Sequence, residues 1–251
     1  MTDLHCHILP GIDDGAQNVQ ESLELIRRQM AQGVNQIALT PHFNAERITV
    51  DEFVHKRAAA YEVLQQAVKA EGLDVAFKLG AEVFFSSNLV ELDLDPLVLE
   101  GTDYLLVEFS PTFYPTWAKD VFYQLGLQGI TPLLAHVERY PYMLSDPTRL
   151  FDLVNAGAVT QVNASSLLRS GSRQAMVRKF FKWNLVHVLS TDTHSMDKRP
   201  PLMSDALRKV EEWEGSQMVR YLEKNGAAVF RGDEPSLRDA TKPKHLFGRW
   251  F

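Results

Sequence analysis

The chain has 251 residues, 45% of them hydrophobic and 23% charged, enough to bury the core of one α/β barrel. A formal charge of -6 argues against broad attraction to nucleic acid or anionic lipid, but leaves room for a local basic pocket that takes one phosphate. No apolar stretch has membrane-spanning length, the N-terminus lacks the basic segment and apolar core of a signal peptide, and the single cysteine has no partner for an internal disulfide; a cytoplasmic protein is expected.

The first predicted strand carries Asp3-Leu4-His5-Cys6-His7. In an extended chain residues i and i+2 face the same side, so His5 and His7 can share one cation. Cys6 then points to an outer layer, where a free cysteine acts as a small apolar residue. Thiolate phosphatase chemistry also needs an arginine six residues on, where this chain has Ile12. Gly11-Ile12-Asp13-Asp14-Gly15 reads as a loop in which one aspartate is a candidate ligand, or both cap the next helix. That helix is predicted from Asn18 to Ala31, with Leu23, Ile26 and Met30 on its apolar face.

An apolar run from Gly33 ends at Thr40-Pro41-His42, where proline stops the strand and leaves His42 at its C-terminal end. Thr49 and Glu52 predict a capping box for a helix reaching Ala70, with His55 on its surface. Two further strands close on acids: Val75 to Glu82, and Tyr104 to Glu108. An acid after a buried strand is costly unless it is paired or bound to metal, so two in equivalent places are informative. The next run, Gly129 to Tyr140, contains His136 and, just after it, Arg139. Asp146-Pro147 predicts a helix start with the aspartate as N-cap. Val159 to Asn163 is a sixth strand and Leu185 to His194 a seventh, placing Asp192 and His194 two residues apart. His187, in mid-strand, is expected to be structural. Helical sequence from Leu202 to Asn225 closes the domain, assigned to residues 1–234, and 235–251 form a basic, aromatic tail packed on the barrel or trailing from it.

Seven strands alternating with helices predict a parallel α/β barrel with its helices outside. Such barrels gather functional groups at the C-terminal ends of their strands, where these candidates fall.

The motifs His5-x-His7, Asp14-Gly15, Thr40-Pro41-His42, Gly80-Ala81-Glu82, Val107-Glu108-Phe109, Ala135-His136-x-Glu138-Arg139-Tyr140 and Asp192-x-His194 with Arg199-Pro200-Pro201, in this order over residues 1 to 230, resemble the polymerase-and-histidinol-phosphatase (PHP) superfamily. More narrowly, they resemble the manganese-dependent tyrosine-protein phosphatases encoded with bacterial capsular and exopolysaccharide genes. The resemblance implies a distorted TIM-like (β/α)7 barrel with three divalent cations, manganese first and iron or zinc by ligand type. One cation would be held by His5, His7 and Asp192, with Glu82 bridging to a second on Glu108 and His136, and a third on Asp14, His42 and His194.

Clustered cations suit phosphoester hydrolysis because they acidify water, neutralise phosphoryl oxygens and align attack by the resulting hydroxide. Arg139 and Arg199 follow ligand-bearing strands and are assigned to grip phosphate through their guanidinium forks. Phe84, Phe85, Phe109, Phe113, Tyr114, Tyr140 and Tyr142 follow strand ends and are candidate walls for an aromatic ring, or simply core. The resemblance implies a phosphotyrosine protein as substrate, a bacterial tyrosine autokinase, with no nucleic acid and no membrane insertion. The alternatives are histidinol phosphatase or another phosphoesterase of the superfamily, and, in a different class, a non-catalytic metal-binding docking module.

Overall fold

The computed structural model describes residues 1–246 and 248–251. Its barrel strands are β1 (Thr2–Cys6), β2 (Gln36–Leu39), β3 (His42–Phe43), β4 (Ala76–Leu79), β5 (Glu82–Phe84), β6 (Tyr104–Glu108), β7 (Thr131–Leu134), β8 (Val159–Asn163) and β9 (Val188–Ser190). Two expected strands are each broken in the middle, at Thr40-Pro41 and at Gly80-Ala81. Their first halves form a sheet with β1 in the order β1-β2-β4, and their second halves join the curled sheet β3-β5-β6-β7-β8-β9. All these pairings are parallel. Proline has no N–H for a ladder, so the chain changes partners there, and the Glu82 amide donates to the Pro41 carbonyl across the break at 3.0 Å. The nine short strands thus make the seven expected passes.

The ends of the curl meet through β1. A parallel bridge joins Cys6 to Thr193, and the His7 amide donates to Thr193 O at 2.9 Å. The Asp192 amide donates in turn to His5 O at 2.8 Å. Asp3 fastens the same seam from below: its buried carboxylate accepts from the Thr191 amide and hydroxyl and from Gln29 Nε2. These bonds bring the histidines of β1 beside the residues that follow β9.

Outside the sheet pack α1 (Val19–Met30), α2 (Val50–Ala70), α3 (Ala118–Leu127), α4 (Pro141–Ser145), α5 (Thr148–Asn155), α6 (Ala164–Leu168), α7 (Ser172–Lys182), α8 (Met203–Glu214) and α9 (Ser216–Arg231). Asn18 caps α1 by accepting from the Glu21 amide, and the Thr49–Glu52 capping box opens α2. The continuous helical stretch expected at 202–225 is instead two helices, because Gly215 (φ 81°) turns the chain between them. Asp146 caps the start of α5 as expected: its backbone is non-helical and its Oδ1 accepts from the Thr148 amide and hydroxyl, while Pro147 (φ -69°, ψ -8°) already has helical backbone. In the tail, β10 (His245–Leu246) and β11 (Arg249–Trp250) pair antiparallel, and Trp250 Nε1 donates to Ser145 O at 3.1 Å.

A small apolar cluster of Leu4, Ala38, Leu106, Leu133 and Val188 is closed by Val229 and Phe230 of α9, and a larger one lies between strands and helices. Cys6 belongs to the larger cluster and its thiol donates to Ala38 O. Burial raises the thiol pKa well above the ordinary value, and the thiol stays protonated.

His187 is fully buried, with Nδ1 accepting from the Thr160 amide, and desolvation lowers its pKa to about 4. The native state therefore keeps the ring neutral where the unfolded chain would protonate it. Its stabilising effect is complete above pH 6.5, the ordinary value, and is lost as pH falls toward 4, for a total of about 3 kcal/mol. Urea unfolding from pH 7 to 4 should show a steeper loss of stability for the native chain than for His187→Leu; equal slopes would contradict the assignment.

Candidate metal centre

The loop after β1 is shaped by a close approach. A side chain at Gly15 would place its Cβ 2.0 Å from the His7 carbonyl oxygen, so only glycine lets the loop fold against β1. The Ala16 amide then donates to His7 O, and the two aspartates take different places. Asp13 turns inward: one oxygen lies 2.7 Å from His7 Nδ1 and accepts from the His42 amide, and the other accepts from the Gly15 amide. Asp14 is 66% exposed, with Oδ1 at 3.4 Å from both His42 Nε2 and His194 Nε2. Neither aspartate caps α1; Asn18 does.

Fixing one ring nitrogen presents the other. Asp13 holds His7 Nδ1, so Nε2 faces inward, and Gln161 of β8 does the same for His5 through a 3.2 Å contact to Nδ1. The same Gln161 oxygen accepts from the His136 amide at 2.7 Å. His136 and Asp192 both adopt left-handed backbone, at φ 33° and 51°. Non-glycine residues seldom occupy that region, and here it turns both side chains into the centre.

Glu82, the first residue of β5, lies at the middle. Oε1 is 2.8 Å from His136 Nε2, and Oε2 is 3.0 Å from His42 Nδ1 and 3.2 Å from both His5 Nε2 and His7 Nε2. Glu108 faces His136 and His42 at 3.5 and 3.7 Å. Asp192 Oδ1 stands 3.5 Å from His5 Nε2 and from His194 Nδ1. Its Oδ2 accepts from Arg139 Nη1 at 3.0 Å, from Asn163 Nδ2 at 2.6 Å and from Arg199. All nine expected ligands, with Arg139 and Arg199, thus meet in one region.

Donor atoms lying within 4.8 Å of one another form four sets: His7, Asp14, His42 and His194; His5, His136 and Asp192; His5, His7 and Glu82; His42, Glu82 and Glu108. The sets share His5, His7, His42 and Glu82, so they are joined at their edges. Three of the converging atoms, Glu82 Oε2, Asp192 Oδ1 and His194 Nε2, are buried without a hydrogen-bond partner. Two ligands at right angles on bonds of about 2.1 Å stand about 3 Å apart, close to the observed 3.0–3.2 Å spacings around Glu82. The donor set, its spacing and its orphaned atoms all fit bound divalent cations.

The electrostatics agree. Burial would lower the His7 pKa, but Asp13 and Glu82 outweigh it and lift the ring to about 10. His136 rises to about 9 against its own burial, through Glu108 and Glu82. Burial also opposes ionisation of Asp192, yet the facing His5, His136 and Arg199 keep it below the usual carboxylate range. In effect, the carboxylates demand positive charge at the centre.

Four residues hold this shell in place, a role that sequence reasoning misses: Asp13, there a candidate ligand or helix cap, and Gln161, Asn163 and Glu138, there given no part in the site. Gln161 Nε2 donates to Asn163 Oδ1, and Glu138, fully buried, accepts from Ser166 Oγ and the Asn163 amide. The alternation in Gln161-Val162-Asn163, which puts two amides on one face of β8, was the available signal. Of the aromatic candidates, Phe85, Phe109 and Tyr140 are core, Tyr142 stacks on Tyr140, and Phe84 lines a cleft of about 670 Å3 with Ile12, Asp14, His42, Ile48 and Glu108.

Residues 1–231 match the family described as "Capsular polysaccharide synthesis, CpsB/CapC", and the chain belongs to this family. It is 32% identical to the tyrosine-protein phosphatase YwqE of Bacillus subtilis (strain 168), over 99% of each chain. To the putative tyrosine-protein phosphatase CapC of Staphylococcus aureus it is 30% identical, again over 99% of each. Its fold superposes on a chain from the crystal structures of YwqE from B. subtilis and CpsB from Streptococcus pneumoniae, described as unique metal-dependent tyrosine phosphatases, with a TM-score of 0.90, 29% identity and coverage of 98% of this chain and 100% of that one.

Because Asp13 orients His7 without sitting in any of the four donor sets, Asp13→Ala should leave the fold intact and weaken divalent-cation affinity about 10- to 100-fold. Titration calorimetry with Mn2+ checks this, and unchanged affinity would remove Asp13 from the account.

Proposed function

We propose that this protein is a metal-dependent protein-tyrosine phosphatase of capsular or exopolysaccharide synthesis. The observation that carries the reading is the pairing of the nine-residue acid and imidazole cluster with two arginines, Arg139 and Arg199, that converge on Asp192 at its edge. Membership of the CpsB/CapC family and likeness to YwqE and CpsB support the phosphotyrosine assignment.

His5, His7, Asp14, His42, Glu82, Glu108, His136, Asp192 and His194 are the proposed ligands of three divalent cations, with Mn2+ as the favoured ion. When bound, these would supply the Lewis acidity that activates water and neutralises phosphoryl oxygens. The chain's own residues do the rest. Arg139 and Arg199 are partly exposed and face the cleft on one side of the cluster, where their guanidinium groups grip the phosphoryl oxygens. Asp192 Oδ2 holds both guanidinium groups and is itself held by Asn163 Nδ2. On the other side, Phe84, Ile12 and Ile48 give apolar wall to the 670 Å3 cleft, which receives the phenyl ring. The tyrosyl oxygen, with a solution pKa of about 10, leaves more readily than an alkoxide and places little demand on a general acid.

The substrate is assigned as a tyrosine autokinase governing polysaccharide export. Among the described residues no helix is long and apolar enough to cross a membrane, in keeping with a cytoplasmic site of action. Residues 1–234 are taken as the catalytic unit and 235–251 as a tail held against α4 and α7, where Lys179 Nζ donates to Trp250 O.

Chelation should abolish hydrolysis of a phosphotyrosyl peptide and Mn2+ should restore it, with histidinol phosphate turned over far more slowly. Undiminished cleavage by the metal-stripped protein would refute the reading. Arg139→Ala should lower kcat/KM about 100-fold, as loss of a charged donor to the transition state does; full turnover with full phosphate affinity would remove the clamp.

A further inference from the structure

A second cleft, of about 320 Å3, shares Asp192 with the cluster and is otherwise lined by different residues. Five cationic side chains border it, Arg139, Arg169, Arg173, Lys198 and Arg199, against two carboxylates, Asp192 and Asp197. Asp192 is already committed to Arg139 and Arg199, and Asp197 accepts from the Lys198 backbone amide. Among the described residues, Arg169, Arg173 and Lys198 have no carboxylate within ion-pair distance, and all three are exposed. This local excess of positive charge sits on a chain whose formal charge is -6.

Helix stability does not explain it. Arg173 lies in the first turn of α7, where a cation opposes the helix dipole, and Arg169 lies in the short link between α6 and α7. Both instead add to the cleft whose inner edge holds the phosphate-gripping pair. Arginine forks suit a phosphoryl group, which carries about -1.5 to -2 charges near neutral pH and three acceptor oxygens, better than a single carboxylate.

We propose that this cleft binds a second phosphoryl group of the substrate, carried on a residue flanking the phosphotyrosine being hydrolysed. The inference rests on the phosphatase reading above and narrows it: the preferred substrate is a multiply phosphorylated segment. Arg169, Arg173 and Lys198 select the flanking group, while Arg139 and Arg199 serve the reacting one.

The test compares Mn2+-loaded native protein with the Arg169→Gln/Arg173→Gln variant on four substrates. These are p-nitrophenyl phosphate, a phosphotyrosyl peptide with neutral flanks, the same peptide with a non-hydrolysable phosphonate analogue of phosphotyrosine nearby, and the same peptide with glutamate at that position. The native protein should favour the phosphonate peptide over the neutral one about tenfold in kcat/KM, mainly through KM, with a smaller gain from glutamate. The variant should lose that preference and keep its turnover of p-nitrophenyl phosphate. No preference in the native protein, a preference retained by the variant, or an equal gain from glutamate would each overturn the proposal while leaving the phosphatase reading in place. Failure of the native protein to hydrolyse even p-nitrophenyl phosphate and the neutral peptide would bring down that reading, and this one with it.

Discussion

The carboxylate of Glu82, 1% exposed, faces the imidazoles of His5, His7, His42 and His136, and the rest of the molecule is arranged around that contact. A buried carboxylate is tolerated only where positive charge or hydrogen bonds compensate its lost hydration. Here compensation arrives from strands far apart in sequence, so the barrel must close before the site exists. The seam between β1 and the segment after β9 is therefore as important as any ligand. It is held by main-chain bonds at His5, His7 and Thr193, and by the buried Asp3 carboxylate on Thr191.

Around this centre runs a layer of residues that hold the ligands without joining any donor set. Asp13 and Gln161 fix which nitrogen of His7 and His5 points inward, and Asn163 joins Arg139 and Arg199 on one oxygen of Asp192. Backbone conformation contributes too: His136 and Asp192 occupy left-handed φ, a region few non-glycine residues adopt. Three polar atoms at the middle of the site, Glu82 Oε2, Asp192 Oδ1 and His194 Nε2, have no hydrogen-bond partner.

Much of this was legible in the chain because strand ends are marked by strong local signals. Apolar runs stopping at His42, Glu82, Glu108 and His136 located the rim of the barrel, and the Thr49–Glu52 pair fixed the start of α2. What the chain hid were features that depend on contacts distant in sequence. Pro41 marks one break locally, but that the halves on either side of Pro41 and of Gly80 join different sheets depends on the neighbouring strands. Asp13 and Asp14 are adjacent and chemically alike, and only the approach of Gly15 to His7 separates the inward residue from the exposed one. Gln161 and Asn163 sit on an ordinary-looking strand, and their roles emerge only when β8 lies beside the residues of β1 and β9.

Two clefts flank the cluster, one with apolar wall and one bordered by five cationic side chains. The most direct test of the central claim is anomalous diffraction at the manganese edge from crystals grown with Mn2+ and phosphate. The account predicts three peaks within the shell of His5, His7, Asp14, His42, Glu82, Glu108, His136, Asp192 and His194, with phosphate oxygens between them and Arg139 and Arg199. An ordered shell containing no anomalous scatterer, or metal bound elsewhere on the chain, would contradict it.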